Sequence, residues 1–344
     1  MVAALAACGS NSDDSTSDSA DDPVEGTVRT FTYDDSIDPT ILDPFESEYP
    51  DVDVKTATFN SNAQAAAKIK GGFGTDVIEV CLDESSPLVD ADLLAPIDTS
   101  KINEWDNMQA SFRNADGVTQ DGNTWLVPLS AGPHGLIYDI DAFAEPPTSW
   151  TDLYDPAVQG QVALDGGGSL TPLAVTAMSM GIEDPMHMDP DQIAQVRDYM
   201  IDNRDQFRTF ADSDSDTINL FKSGEIVLTD GGLGTTTKLK NEGVNVEWVA
   251  PEEGALSWIC GFGISSEAEN VAAAYALINH YLSPEMQAVI ASQGFSIVNP
   301  EAMPLIPKDQ RDDADPSQLE SMIAEIEPTY QEEWDAAWQE IQVG

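Results

Sequence analysis

Two short stretches bring acidic and glycine residues together where a backbone can do chemistry. They are Asp165-Gly166-Gly167-Gly168-Ser169 and Asp230-Gly231-Gly232-Leu233-Gly234-Thr235. Each follows a run that reads as a strand and precedes one that reads as a helix. Bare N–H groups at a helix N-terminus attract oxyanions, because they are unsatisfied donors at the positive end of the helix dipole. The same glycines serve equally well for a tight turn, so both readings stand. Catalysis has less support: His134, His187 and His280 are scattered, and the chain has no HExxH, GxSxG, CxxC, Walker or GxGxxG pattern. Asp212, Asp214 and Asp216 alternate like a calcium loop, but Thr217 stands where that loop needs Gly and Ser223 where it needs its terminal Glu. The spacing predicts an acidic loop whose Asp216 caps the next helix. No catalytic residue, metal or cofactor is expected.

The charge narrows the classes further. Among 344 residues, 62 are Asp or Glu and 14 are Lys or Arg, a formal charge of −48. Such a surface excludes a nucleic-acid groove. With 41% hydrophobic residues the chain still has material for a large core, and its length suggests two or three lobes. The acidic excess is spread along the sequence and would repel itself in dilute buffer, where the Debye length is roughly 10 Å at 0.1 M salt against about 3 Å at 1 M. The chain reads as adapted to high salt, a reading that its eight lysines support. The charge is therefore no guide to the ligand.

At the N-terminus, Leu5-Ala6-Ala7-Cys8 has the form of a lipobox, with Cys8 as the lipidated residue. The apolar stretch before it is short for a signal and lacks a basic region, so either the start is truncated or the motif is accidental; the lipobox is the expectation. From Asn11 to Pro23 the chain is mostly Ser, Asp, Thr and Ala, the composition of a solvated tether. Residues 1–26 are thus expected to be a signal remnant and tether, anchoring the protein by lipid at the outer face of the membrane. No stretch approaches the roughly 20 apolar residues of a membrane-spanning helix.

From Thr27 onward the pattern alternates strand and helix. Val28 to Tyr33, Val52 to Thr58 and Asp76 to Cys81 read as strands, Ile37 to Tyr49 and Asn62 to Lys70 as helices. This is the rhythm of a parallel α/β sheet, which takes ligands at its strand C-termini. Thr124 to Tyr138 reads as extended segments interrupted by Gly132-Pro133, and Pro146 to Leu153 as a turn feeding a short helix. A second α/β unit starts at Gly160 to Leu164 and continues with helices at Pro172 to Met180 and Gln192 to Phe207. Beyond it come a short helix at Thr217 to Lys222, a strand at Glu225 to Thr229, a helix at Thr235 to Asn241, strands at Val244 to Val249 and Ile259 to Ser265, and a helix at Val271 to Leu282. Trp334, Trp338 and Ile341 recur at helical spacing in the tail.

An ordered set of local patterns resembles the spermidine/putrescine-binding proteins of ABC importers. It comprises Pro147 to Leu153 (PTSWTDL), Gly224 to Leu228 (GEIVL), Pro251 to Trp258 (PEEGALSW), Ala274 to Pro284 (AYALINHYLSP) and Gly294 to Pro300 (GFSIVNP), within residues 27–343. The resemblance implies a two-lobed α/β fold of the type II periplasmic-binding-protein kind, with the ligand trapped in the cleft as the lobes close. It puts lobe 1 at 27–131 plus 256–312, lobe 2 at 132–255 and a C-terminal helical segment at 313–344. The crossings fall near Ser130 to Gly135 and Glu253 to Trp258. It also implies a site: Tyr33 and Asp34 at a strand end, the loop Cys81 to Asp83, the stacking Trp258 on a crossing strand, and Phe295. The chain departs from the pattern at Gly167 and Leu170, where polyamine binders carry carboxylates, at Gly232, where a Trp is expected, and at Cys260, where an Asp is expected. Asp34, Asp83, Asp165 and Asp230 remain to meet cationic groups. On this mapping Cys81 and Cys260 lie near the cleft; a disulfide is open to them, and two buried free thiols are the expectation.

The expected function is that of an extracellular, lipid-tethered, monomeric solute-binding protein delivering a small solute to an ABC permease. A polyamine is the ligand implied by resemblance. An oxyanion or organic acid held by Gly167, Ser169 and Gly232 is the alternative, and a secreted hydrolase a more distant one.

Overall fold

The computed structural model describes residues 23–59 and 62–343, so Cys8 and the tether lie outside the described residues. Three parallel strands open the chain: β1 (Gly26–Thr32), β2 (Val52–Thr58) and β3 (Val77–Cys81). They are followed by β4 (Val127–Asp139), β5 (Val162–Asp165), β6 (Phe207–Ala211), β7 (Leu228–Gly232), β8 (Val246–Val249) and β9 (Leu256–Ser265). In the sheet the order is β2-β1-β3-β9-β4-β7-β5-β6. Helices Pro39–Glu48 and Asn62–Lys70 connect the first strands, and Leu170–Ser179, Asp214–Ser223 and Leu233–Asn241 belong to the second half.

Two cores fill the two halves. Val28, Phe45, Val77, Phe262, Leu277 and Tyr281 pack in one. Leu136, Trp150, Leu164, Leu173 and Val196 pack in the other, together with Trp334, Trp338 and Ile341 of the last helix, Gln331–Val343. Strand β4 joins the halves. It pairs antiparallel with β9 from Val127 to His134, and from His134 to Tyr138 with β7. His134 is therefore flanked by Leu256 on one side and Gly232 on the other, at the seam of the molecule.

Several expectations are corrected. Gly132-Pro133 does not interrupt β4, which runs through it. Pro133 lies between Ala131, the last residue paired with Ser296, and His134, the first paired with β7, so its missing N–H is tolerated there. Gly132 is required because Trp258 on β9 covers it: a Cβ there would lie 2.7 Å from the indole ring. The helix expected over Gln192 to Phe207 is Pro190–Asp202, and Phe207–Ala211, rich in aromatic residues, leaves it as β6. The strand expected at Glu225 to Thr229 is Leu228–Gly232, so Asp230 and Gly231 belong to a strand rather than a turn, and Gly232 is the N-cap of the following helix. Ser213, not Asp216, caps the helix Asp214–Ser223: its Oγ accepts from the Asp216 N–H at 3.2 Å.

Candidate functional site

A cleft of about 620 Å³ lies where the two halves face each other. Its first wall begins directly after β1. The chain leaves the strand at Tyr33 and turns through Asp34–Ile37, and the Tyr33 N–H donates to Glu79 Oε2 at 3.0 Å. Glu79 sits mid-strand in β3 and is buried. Burial pushes its carboxyl up from 4.5 to about 7, with Asp35 and Asp34 adding to the rise against the hydrogen bonds from Ser36 and Tyr33. Asp83, in the turn Leu82–Glu84 that follows β3, is pushed by burial to about 6. The Tyr33 ring packs 4.6 Å from that of Phe59, giving this wall an apolar face beside its carboxylates.

The floor comes from β9 and its neighbours. The Trp258 ring meets Phe295 edge-on at 5.5 Å, and Phe295 in turn covers Gly234, where a Cβ would lie 2.4 Å from the ring. Beside Trp258, Cys260 is the antiparallel register partner of Cys81 on β3, and the two form a disulfide. This corrects the expectation of two free thiols: directly opposed positions on adjacent strands bring both sulfurs together.

The second wall is a chain of hydrogen bonds. His134 Nε2 and Asp230 Oδ2 are 3.2 Å apart, Asp230 Oδ1 accepts from the Asp165 N–H at 2.9 Å, and Asp165 Oδ1 accepts from the Gly167 N–H at 2.8 Å. Burial alone would lower the His134 pKa, but the hydrogen bond and charge of Asp230 outweigh it and hold the imidazole at about 9. His134 is thus a cation at neutral pH. Asp165 is pushed to about 6, by burial first and by Asp230 next. The segment ahead of the last helix closes the ring. The Glu325 N–H donates to Ser257 O at 2.8 Å, its Oε1 is buried without a hydrogen-bond partner, and burial pushes its carboxyl to about 7. At one edge of the cleft Lys238 stands 2.6 Å from Asp35 of the first wall and 2.8 Å from Asp214 of the second.

Tyr33, Asp34, Cys81, Asp83, Asp165, Gly167, Asp230, Gly232, Trp258, Cys260 and Phe295 all line this cleft. Ser169 does not: it is buried, and its Oγ donates to Asp335 Oδ1 at 2.7 Å, tying the last helix to the second half. Sequence reasoning missed Glu79, His134 and Glu325. A lone acid inside the apolar strand VIEVC was a signal for the first, and a histidine beside Gly132-Pro133 for the second; Glu325, in the tail, offered none. Among the described residues no group of three His, Cys, Asp or Glu is arranged to hold a metal, and no helix is long and apolar enough to cross a membrane.

The cleft has room for a small molecule, and among the described residues that line it no hydrogen bond pairs a hydroxyl or thiol nucleophile with a histidine base. Known proteins agree with that reading. The chain is 26% identical over 321 residues to the spermidine/putrescine-binding periplasmic protein 1 of Haemophilus influenzae, covering 91% of this chain and 86% of that protein. It is 25% identical over 304 residues to the putrescine-binding periplasmic protein PotF of Escherichia coli, covering 83% and 81%. Its fold matches that of the spermidine/putrescine ABC transporter substrate-binding protein PotD of Streptococcus pneumoniae with a TM-score of 0.77 at 24% identity, over 92% of this chain and 97% of the other. This is the two-lobed type II periplasmic-binding fold. Residues 40–315 match the family model of the bacterial extracellular solute-binding proteins, and the chain belongs to that family.

Proposed function

We propose that the chain captures a diamine or polyamine between its lobes and presents it to an ABC permease. The observation that carries this is the charge of the cleft. Ten carboxylates line it, from Asp34 and Glu79 to Asp230 and Glu325; His134 pairs with Asp230, and Lys238 at the edge with Asp35 and Asp214, which leaves the cleft strongly acidic. A linear amine needs carboxylates for its ammonium groups and aromatic faces for its methylenes, and Trp258 with Phe295 and Tyr33 with Phe59 supply the latter. The names of the relatives point to the same ligands. An oxyanion is disfavoured by the carboxylates around it, and the Gly167 N–H that would help hold it already donates to Asp165.

In this reading lobe 1 comprises 27–131 plus 256–312 and lobe 2 132–255. Segment 313–344 is then a C-terminal strap whose Trp334 and Trp338 share the core of Leu164 and Leu173. The protein works as a monomer outside the cell membrane, held by a lipid on Cys8. The test is calorimetric titration with putrescine and spermidine at molar KCl. Saturable binding of either supports the reading; binding of organic acids with no response to amines overturns it.

A further inference from the structure

Asp35 lies in the turn after β1 and Asp214 in the first turn of the helix Asp214–Ser223, so the two carboxylates face each other from opposite halves of the molecule across one edge of the cleft. Between them stands an ammonium that belongs to the chain. Lys238 Nζ is 2.6 Å from Asp35 and 2.8 Å from Asp214, its side chain is 28% exposed, and Asp214 is further held by the Thr235 hydroxyl at 2.7 Å. Elsewhere in the cleft the carboxylates are differently engaged. Asp230 is neutralised by His134, whereas Glu79, Asp83 and Glu325 face no Lys or Arg among the residues lining the cleft, and Glu325 Oε1 has no hydrogen-bond partner at all.

We propose that Lys238 determines ligand length: its ammonium fills the carboxylate pair Asp35–Asp214 that would otherwise take one amine of a longer ligand, and so restricts the cleft to short diamines. The inference rests on the reading of an amine ligand. The pair Asp35–Asp214 is a working ammonium site by the plainest criterion, since an ammonium is in it. A triamine reaching this edge must either leave its third charge unpaired or expel a lysine tethered at an effective concentration that free ligand cannot match. A diamine bound to the remaining carboxylates meets no such conflict. Lys238 is thus a specificity residue that acts by exclusion, a form of discrimination built from what it denies the wrong ligand.

The experiment compares putrescine and spermidine affinities at fixed molar KCl in the wild-type protein, Lys238→Met and the double variant Lys238→Met/Asp214→Asn. Putrescine is expected to bind wild type more tightly than spermidine. Lys238→Met is expected to shift the ratio toward spermidine by about tenfold, one charge-assisted contact, and the double variant to return toward the wild-type ratio. Equal changes for both ligands would overturn the inference, reducing Lys238 to a contact between lobes. Failure of both amines to bind wild type would overturn the amine reading itself. Should Lys238→Met not fold, Lys238→Ala kept in n-propylammonium chloride serves instead. The added amine restores the wild-type ratio if the site is an ammonium site, and acts no differently from equal KCl if it is not.

Discussion

Replacing Glu79 by Gln isolates the cost of keeping an acid in the cleft wall. The folded protein holds the Glu79 carboxyl at about 7, against 4.5 for the same group in water. Between those values the folded state keeps a proton that the unfolded chain has lost, so stability falls as pH rises through the window. At about 1.4 kcal/mol per pH unit the loss from this one group reaches about 3 kcal/mol by pH 8. Asp83, Asp165 and Glu325, at about 6, 6 and 7, add losses of the same sign. The Glu79→Gln variant keeps an acceptor for the Tyr33 N–H but has no proton to lose at this position, so its profile should be flatter than wild type by about 3 kcal/mol between pH 4.5 and 8. Urea unfolding of the ligand-free protein in molar KCl, at half-unit pH steps for both proteins, measures the difference directly. A cationic ligand should have the opposite pH dependence, binding more tightly as these carboxyls ionise. Parallel stability profiles for the two proteins would refute the argument, because they would mean that Glu79 titrates alike in the folded and unfolded states.

Three further outcomes are expected. Trp258→Ala should lose on the order of 1 to 3 kcal/mol of amine binding while keeping its melting temperature within a few degrees, and ligand should change the wild-type tryptophan fluorescence; unaltered affinity would remove Trp258 from the site. The protein should lose near-ultraviolet circular dichroism below a few tenths molar KCl and regain it above about 1 M, as the Debye length shrinks to about 3 Å; a melting temperature independent of salt would sink the salt-adaptation argument. Expressed behind a complete signal sequence, the protein should partition with membranes and Cys8→Ser should not, and equal partitioning of the two forms would count against the anchor.

Periodicity located the elements best where one face alone is buried or where the ends are marked. The helix Asn62–Lys70 ends at Gly71-Gly72 and Val271–Leu282 begins after the capping Asn270, and both match the expected bounds. It failed where tertiary pairing overrides local signals. Phe207 continues the helical spacing of the segment before it, yet its pairing with Val162 draws it into the sheet. Pro133 reads as a break only until the partners on either side of it are known. The site divides the same way. Tyr33, Trp258 and Phe295 were carried by local resemblance, whereas the pairings of His134 with Asp230 and of Cys81 with Cys260 span 96 and 179 residues. No window of sequence contains both members of either pair.

The last strand and helix impose an order on biosynthesis. The first lobe's sheet needs β9, residues 256–265, between β3 and β4, and the second lobe's core needs Trp334 and Trp338. A chain emerging N-terminus first therefore cannot complete either lobe until most of it is out, and the cleft gains Glu325 only near the end. Partial chains keep apolar surface uncovered in both halves, so they stay open to chaperones or to aggregation. Solute capture therefore awaits a nearly complete chain, since a truncated one has neither a completed lobe nor Glu325 in its cleft.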